Sequence, residues 1–251
     1  MVLNWGRGVK RGKFESGFGL QRCLTSLPSR RHSKAAVRAP PIAILAAFVA
    51  VFAVALAIDP TVATWFHERG MDEALKSNYR WVARIARLPG NFVTYSLPIA
   101  GFLFLFVFIA GTRWLLPSAF ILLCGILAGS NAFVKWIVGR TRPFQGDVYQ
   151  LHPFVGGIHG LFGPNQSFPS GDVSLAAATS FGLMRLFPSQ RILWWSLILI
   201  VAAERIAENA HYPSDTVAAT ALGWVVAEIA WRLTGRPGRR DGVPNVGRAD
   251  I

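Results

Sequence analysis

Long apolar blocks alternate with short polar segments along this chain. Three stretches contain no charged side chain: residues 41–58, 92–111 and 114–134. As helices, each is about long enough to cross the ~30 Å hydrocarbon core of a bilayer at about 1.5 Å per residue. Shorter or more interrupted apolar runs occupy residues 173–187, 192–203 and 216–233. The pattern predicts an all-α polytopic membrane protein with six transmembrane helices.

The segment after the first predicted span has a different pattern. Between residues 71 and 88 apolar positions recur every three or four residues, and four basic residues follow the same rhythm on a neighbouring stripe: Lys76, Arg80, Arg84 and Arg87. This pattern predicts one amphipathic helix in the membrane interface. The helix could be a plain anchor, or its arginines could gather an anionic lipid.

The composition fits a membrane protein, with 52% apolar residues and a formal net charge of +13. The charge is concentrated at the start of the chain, where residues 1–40 contain nine Lys or Arg and one acid, Glu15. The positive-inside tendency predicts that this tail is cytoplasmic, close to anionic membrane lipids. It contains no recognisable nucleic-acid-binding element, so we expect no nucleic-acid partner.

These patterns divide the chain into three parts. Residues 1–40 are expected to be a disordered basic tail, residues 41–233 the membrane domain, and residues 234–251 a disordered tail. Six spans would return the C-terminus to the cytoplasm. An alternative for the first span is a signal peptide cleaved after Ala57, although its leader would be unusually long. The sequence leaves the oligomeric state open.

Neither cysteine predicts chemistry. Cys23 lies in the tail and Cys124 inside a predicted span, so the two cannot readily meet. Their spacing matches no metal motif. We therefore expect no disulfide, no metal and no cofactor.

Charged residues collect at the ends of the predicted spans, where they are costly and often functional. In the stretch 135–143, Lys135 and Arg142 are seven residues apart and would share a helix face if the helix continued toward Pro143. Their convergence would form a pocket for a phosphate dianion. Taken alone, such cations more often only extend toward the interface.

Two further clusters would join them at the outer side. At the turn 169–172, Ser170 and Gly171 precede a predicted helix, whose first N–H groups can bind phosphate oxygens. In the stretch 204–215, Pro213 interrupts the helix and leaves His211 in a junction between two spans, four residues before Asp215. That carboxylate could hold the imidazole in one tautomer, although a His–Asp pair is more often structural.

These residues resemble the motifs of the type 2 phosphatidic acid phosphatases, a family that includes membrane lipid phosphatases and glucose-6-phosphatase. The family pattern is Lys, six residues, Arg-Pro; then Pro-Ser-Gly-His; then Ser-Arg, five residues, His, three residues, Asp. Within residues 130–220, the motif core 135–215 contains the first block in full. The second block has Asp172 where the family has His, and the third has Glu204 where the family has Ser.

The resemblance implies a mechanism and a site. His211 would attack phosphorus to form a phosphohistidine, and Asp215 would orient it. The phosphate would be held by the remaining motif residues: Lys135, Arg142, Ser170, Gly171 and Arg205. The family requires no metal. The substrate would be a phosphorylated lipid, bound at the outer face of the cytoplasmic membrane.

Asp172 is the main departure, because the family's His in this block protonates the leaving oxygen. A carboxyl group is ionised at neutral pH, and neighbouring cations favour the charged form, so it is a poorer acid. Asp172 could still donate a proton once substrate is bound, or the leaving group could need little help, as in a diphosphate. Alternatively, His152 or His159 could supply the proton, or hydrolysis could be lost.

The remaining acidic residues are expected to be structural. Glu204 and Glu208 would pair with Arg205 or pack in the bundle, with Glu208 as a less favoured catalytic group. Glu228 would make a polar contact inside the bundle near the inner side. The sequence thus predicts a membrane lipid phosphatase acting on a phosphomonoester or a diphosphate. The alternatives are a lipid phosphotransferase and a non-catalytic lipid-phosphate-binding protein.

Overall fold

The structure is a computed structural model that describes residues 41–145, 150–154 and 166–235. These residues contain nine α-helices and no β-strand: α1 Pro41–Glu68, α2 Met71–Ser77, α3 Arg80–Ala86, α4 Ser96–Ala110, α5 Leu115–Ala128, α6 Asn131–Val138, α7 Gly171–Leu186, α8 Arg191–Ala207 and α9 Pro213–Leu233. The all-α fold class is therefore confirmed. The predicted tail 1–40, nearly all of the tail 234–251, Cys23 and His159 lie outside the described residues.

Three helical stretches in this part of the chain are long and apolar enough to cross a membrane: Ile42–Glu68, Thr112–Val138 and Pro213–Leu233. Helix α4 is apolar but shorter. It exposes large apolar side chains, including Phe102, Leu105 and Phe108. Such a surface suits lipid contact. The helices indicate a membrane protein, while the count of six spans stays a prediction.

Helix α1 is longer than its apolar run predicts. The run ends at Ile58, whereas the helix continues through Asp59 and Pro60 to Glu68. Asp59 is completely buried, and its carboxylate is bonded to Arg140 and Ser214. The charge that marks the end of the apolar run is therefore neutralised inside the protein.

The prediction of one continuous amphipathic helix over 71–88 is wrong, because the segment forms two short helices. Helices α2 and α3 are separated at Asn78 and Tyr79, and Tyr79 leaves the helical conformation at φ −116° and ψ 24°. Ser77 Oγ donates to the Glu73 carbonyl at 2.8 Å, an alternative to regular helical bonding. A 3-10 turn, Leu88–Gly90, follows α3. The break allows Arg87 to reach α8.

Helix α7 packs against α5, α8 and α9 through small side chains. Ala176, Ala177 and Ala178 are buried. A Cβ placed on Gly223 of α9 would lie 2.5 Å from Ala177 Cβ and 2.7 Å from Ala178 N. Small residues let two helix backbones approach closely, as is common in membrane bundles. The close packing of α7 and α9 brings their first turns together.

Candidate active site

Backbone hydrogen bonds join the second and third sequence clusters. Ser170 caps the start of α7, and its N–H donates to the Asp215 carbonyl at 3.3 Å. The Tyr212 N–H donates to Asp215 Oδ2 at 2.9 Å, where α9 begins. The His211 N–H donates to the Arg205 carbonyl at 3.3 Å, near the end of α8. Two helix starts and one helix end therefore meet around His211.

The first sequence cluster, which contains Lys135 and Arg142, also lies near the start of α7, but not through the helix geometry that was predicted. Lys135 and Arg142 do not share a helix face, because α6 ends at Val138 and Gly139 takes a left-handed conformation with φ 60°. A side chain at Gly139 would overlap the His152 carbonyl, so only glycine fits this turn. Lys135 Nζ donates to the Gln166 carbonyl at 3.0 Å. A Cβ on Gly171 would lie 3.9 Å from Lys135 Cε.

His211 is a buried imidazole, with 3% of its surface exposed. Its Nδ1 lies 3.7 Å from Asp215 Oδ2, which is close but too long for a hydrogen bond. Burial lowers the pKa of His211 to about 4, against the opposing influence of Asp215 and with help from the positive charges of Lys135 and Arg205. The ring is therefore neutral at neutral pH, as a nucleophile must be.

Asp215 is held by a buried network that the sequence analysis missed. Arg140 donates to Asp215 Oδ1 at 2.8 Å and to Asp59 Oδ2 at 2.9 Å. Ser214 N–H donates to Asp59 Oδ1 at 2.9 Å, and its hydroxyl also donates to Asp59. The Arg140 guanidinium lies 3.9 Å above the Tyr212 ring. An acidic residue directly after an apolar run was the available signal for Asp59.

Several buried donors near His211 form no hydrogen bond with any residue that the structure describes. They are Arg142 Nε, Ser167 Oγ and Ser170 Oγ, whereas Arg205 Nε makes only an ionic contact with a carboxylate. Burial lowers the pKa of Arg142, and the charge of Arg205 lowers it further. Leaving a buried donor unpaired costs about 1–3 kcal/mol, more for a charged group. An anion placed among these donors would remove that cost, which is the property expected of a phosphate site.

An acidic rim lies beside Arg205. Asp172 Oδ2 is 3.3 Å from Arg205 Nε, and Glu208 Oε2 accepts from Arg205 Nη1 at 2.7 Å. The predicted Arg205–Glu208 pair is thus present. Glu204 is 3.8 Å from Arg205 and bonds mainly to Arg87, which donates to its Oε1 at 2.7 Å and also to Glu208. Arg87 and Arg205 together therefore pair with the two glutamates.

Asp172 is packed against the turn that follows α3. A Cβ on Gly90 would lie 2.7 Å from Asp172 Cβ. The Asp172 side chain remains 34% exposed. Its carboxylate is therefore paired with Arg205 and still accessible to a molecule entering from outside.

The other residues considered from the sequence lie elsewhere. His152 is exposed, with its ring Nε2 3.3 Å from Gln150 Oε1. Glu228 pairs with Arg185 and, at 3.0 Å, with Arg232, near the end of α9 opposite the site. Cys124 is buried and free. Within the described ranges, no group of three His, Cys, Asp or Glu side chains could hold a metal ion.

Comparisons with known proteins agree with the motif. The model of the PAP2 superfamily matches residues 114–239. Proteins named lipid A 1-phosphatase from Rhizobium etli and Rhizobium johnstonii are each 32% identical over 102 residues, or 39% of this chain. The match spans only 40% and 38% of the length of these relatives. No solved structure matches. Because the family model covers half of the sequence, including all three motif blocks, the chain belongs to the PAP2 superfamily.

Proposed function

We propose that this protein is a membrane lipid phosphatase that works through a phosphohistidine on His211. The observation that carries the proposal is a buried, neutral imidazole near buried donors of Arg142, Ser167 and Ser170 that form no hydrogen bond within the described residues. Membership of the PAP2 superfamily and the name of the two relatives support a phosphatase. The long apolar helices support a membrane-embedded substrate.

The chemistry begins with the orientation of His211. Its Nδ1 faces Asp215, so Nε2 is the nitrogen left to attack phosphorus. Attack forms an N–P bond and breaks the P–O bond to the lipid, whose oxygen leaves with the electron pair. Water then attacks the phosphohistidine, regenerating the imidazole and releasing inorganic phosphate.

The surrounding donors stabilise the charge that develops on the phosphoryl oxygens. Lys135, Arg142 and Arg205 would supply positive charge, while Ser170 and the Gly171 N–H at the start of α7 would supply hydrogen bonds. Asp215 keeps the imidazole oriented, and Arg140 fixes Asp215 through the bond to Oδ1. This division of roles makes Arg140 a positioning residue.

The Asp172–Arg205 pair bears on the leaving group. Asp172 replaces the proton-donating His of the family pattern, and its Oδ2 already contacts Arg205 Nε at 3.3 Å, so turnover should favour a lipid whose leaving oxygen needs little protonation. A diphosphate is one such substrate. A lipid A phosphate is another candidate, because the relatives are named for that substrate.

The proposed location is the cytoplasmic membrane, with the site at its outer face and both tails in the cytoplasm. The nine basic residues of the tail 1–40 support this orientation through the positive-inside tendency. Protection of a tag at residue 1 from external protease in intact cells would support it. Cleavage of that tag without lysis would contradict it.

The function is tested by phosphate release from purified protein. The substrates are lipid A, a polyprenyl diphosphate and phosphatidate. His67→Ala is the matched control for His211→Ala, because His67 is exposed near the end of α1. We expect loss of turnover and of alkali-quenched, base-stable and acid-labile phosphoprotein in His211→Ala only. Turnover retained in that variant would refute the mechanism, and no turnover by wild type on any lipid would favour a binding protein.

The same panel examines Asp172. If general acid catalysis limits the native enzyme, Asp172→His should raise turnover of phosphatidate more than that of the diphosphate, by up to about a hundredfold. Equal effects on both lipids would contradict the proposal that the native protein favours a lipid with a good leaving group. Labelled phosphate appearing on a lipid acceptor would indicate a phosphotransferase instead.

A further inference from the structure

A cavity of about 510 Å³ lies next to the candidate active site. It is bordered by α2, α3, the turn Leu88–Gly90 and the end of α8. Three arginines line it, Arg80, Arg84 and Arg87, together with apolar side chains such as Leu75 and Leu88. This lining suits an anionic group carried on a partly apolar molecule.

Glu208 separates the cavity from the phosphate-binding donors. One oxygen of this carboxylate accepts from Arg205 Nη1 at 2.7 Å, and the other accepts from Arg87, which lines the cavity. Only the width of one carboxylate therefore lies between the two arginines. A molecule large enough to span that width could reach both places at once.

The carboxylate that lines the cavity, Glu208, does not neutralise the three arginines of the lining. Glu208 is shared between Arg87 and Arg205. Arg80 and Arg84 are exposed, one turn apart on α3, and form no ion pair with a carboxylate of the described segments. Two guanidinium groups thus remain to receive an anion, and Arg is suited to gripping phosphate or carboxylate oxygens.

We propose that this cavity binds a second anionic group of the lipid substrate while the scissile phosphate lies at His211. This inference rests on the proposed function and narrows its substrate class. Because the Glu208 carboxylate stands between the two places, the groups must occupy separate positions of a large head group. A doubly phosphorylated saccharolipid has this form, whereas the adjacent phosphates of one diphosphate do not.

The test uses two lipids in neutral detergent micelles. One is a disaccharide lipid with two separated phosphates, and the other retains only the scissile phosphate. In Arg84→Gln, KM for the doubly phosphorylated lipid should rise about fivefold with kcat unchanged, and Arg80→Gln/Arg84→Gln should raise it further. KM for the singly phosphorylated lipid should stay the same. Arg69→Gln is the matched control, since Arg69 is exposed and stacks 4.0 Å above Trp65.

Three results would overturn the inference. One is an equal rise of KM for both lipids, and another is no rise for either. A third is that the variants affect the singly phosphorylated lipid once phosphatidylglycerol is added, which would assign the cavity to a neighbouring head group. If the variants hydrolyse both lipids with the wild-type KM, the inference fails but the proposed phosphatase function stands. If the wild-type protein hydrolyses neither lipid, the proposed function itself is refuted.

Discussion

Asp59→Asn offers the sharpest test of how the protein positions its catalytic pair. The Asp59 carboxylate accepts from Arg140 Nη2, from the Ser214 N–H and from the Ser214 hydroxyl, and it is fully buried. Asparagine keeps the shape but replaces one acceptor oxygen by a donor. At least one of these three bonds then becomes a contact between two donors.

The energetic effect can be worked from these contacts. Removing one partner of a buried ion pair costs about 3–5 kcal/mol. Asp215 still neutralises Arg140 in the variant, so we expect the lower end, about 3 kcal/mol. That loss corresponds to a fall in Tm of about 6–12 °C for a domain of this size.

Catalysis should suffer as well, because Arg140 also holds Asp215. Freed from Asp59, the guanidinium would shift and carry Asp215 away from His211. A displacement of about 1 Å in a catalytic group can lower the rate about a hundredfold. We expect kcat to fall about 10- to 100-fold with KM little changed, because Asp59 contacts none of the proposed phosphate donors.

The assay combines tryptophan fluorescence during heating, for which the chain has nine tryptophans, with kcat and KM for the preferred lipid. Glu68→Gln is the control, because it removes one negative charge from an exposed position on the same helix. Wild-type stability and turnover in Asp59→Asn would refute the network. A lower Tm with unchanged kcat per folded molecule would refute its positioning role alone.

Three further predictions concern the site and its support. Burial holds the pKa of His211 at about 4, so the imidazole loses its proton as pH rises through that value. We therefore expect kcat/KM to rise near pH 4 and to be level toward neutrality. A rise centred near pH 6.5, the pKa of an exposed imidazole, would count against a buried nucleophile. Gly223→Ala should lower the free energy of unfolding by about 1–3 kcal/mol through overpacking. Gly101→Ala is the control, because a Cβ at Gly101 would meet no atom within 4 Å. Equal midpoints of thermal unfolding in the two variants would contradict this prediction. Arg142→Gln should lower kcat/KM about a hundredfold and weaken inhibition by inorganic phosphate, because it removes a buried guanidinium whose Nε has no hydrogen-bond partner among the described residues. Unchanged inhibition would exclude Arg142 from the phosphate site.

Local patterns account for much of the helical framework. The uncharged run 92–111 predicts α4 to within four residues, because a helix among lipids or in the core needs an unbroken apolar stretch. The run 114–134 predicts the start of α5 to within one residue, although α5 ends at Ala128. The start of α9 follows from Pro213, which ends the preceding segment and favours the first turn of a new helix. The assignment of the three clusters to one side of the membrane also predicted that they would meet, while the roles of their residues stay predictions.

The contacts that sequence could not supply are those between distant residues. Asp59 lies 81 residues from Arg140, and Arg87 lies 117 residues from Glu204. Local periodicity identifies a charge but not its partner, so the sequence predicts only that the uncharged run ends before Asp59. The shared face of Lys135 and Arg142 failed for a related reason, because it assumed that a helix continues through Gly139.

The bond between Asp59 and Arg140 also sets a limit on how this protein can be cut and recombined. The region matched by the family model starts at residue 114, so Asp59 lies outside it. A chimera that replaced α1 with another hydrophobic segment would keep its attachment to lipid but would deprive the buried Arg140 guanidinium of the Asp59 carboxylate. Any exchange of the first helix should therefore carry an acid at position 59.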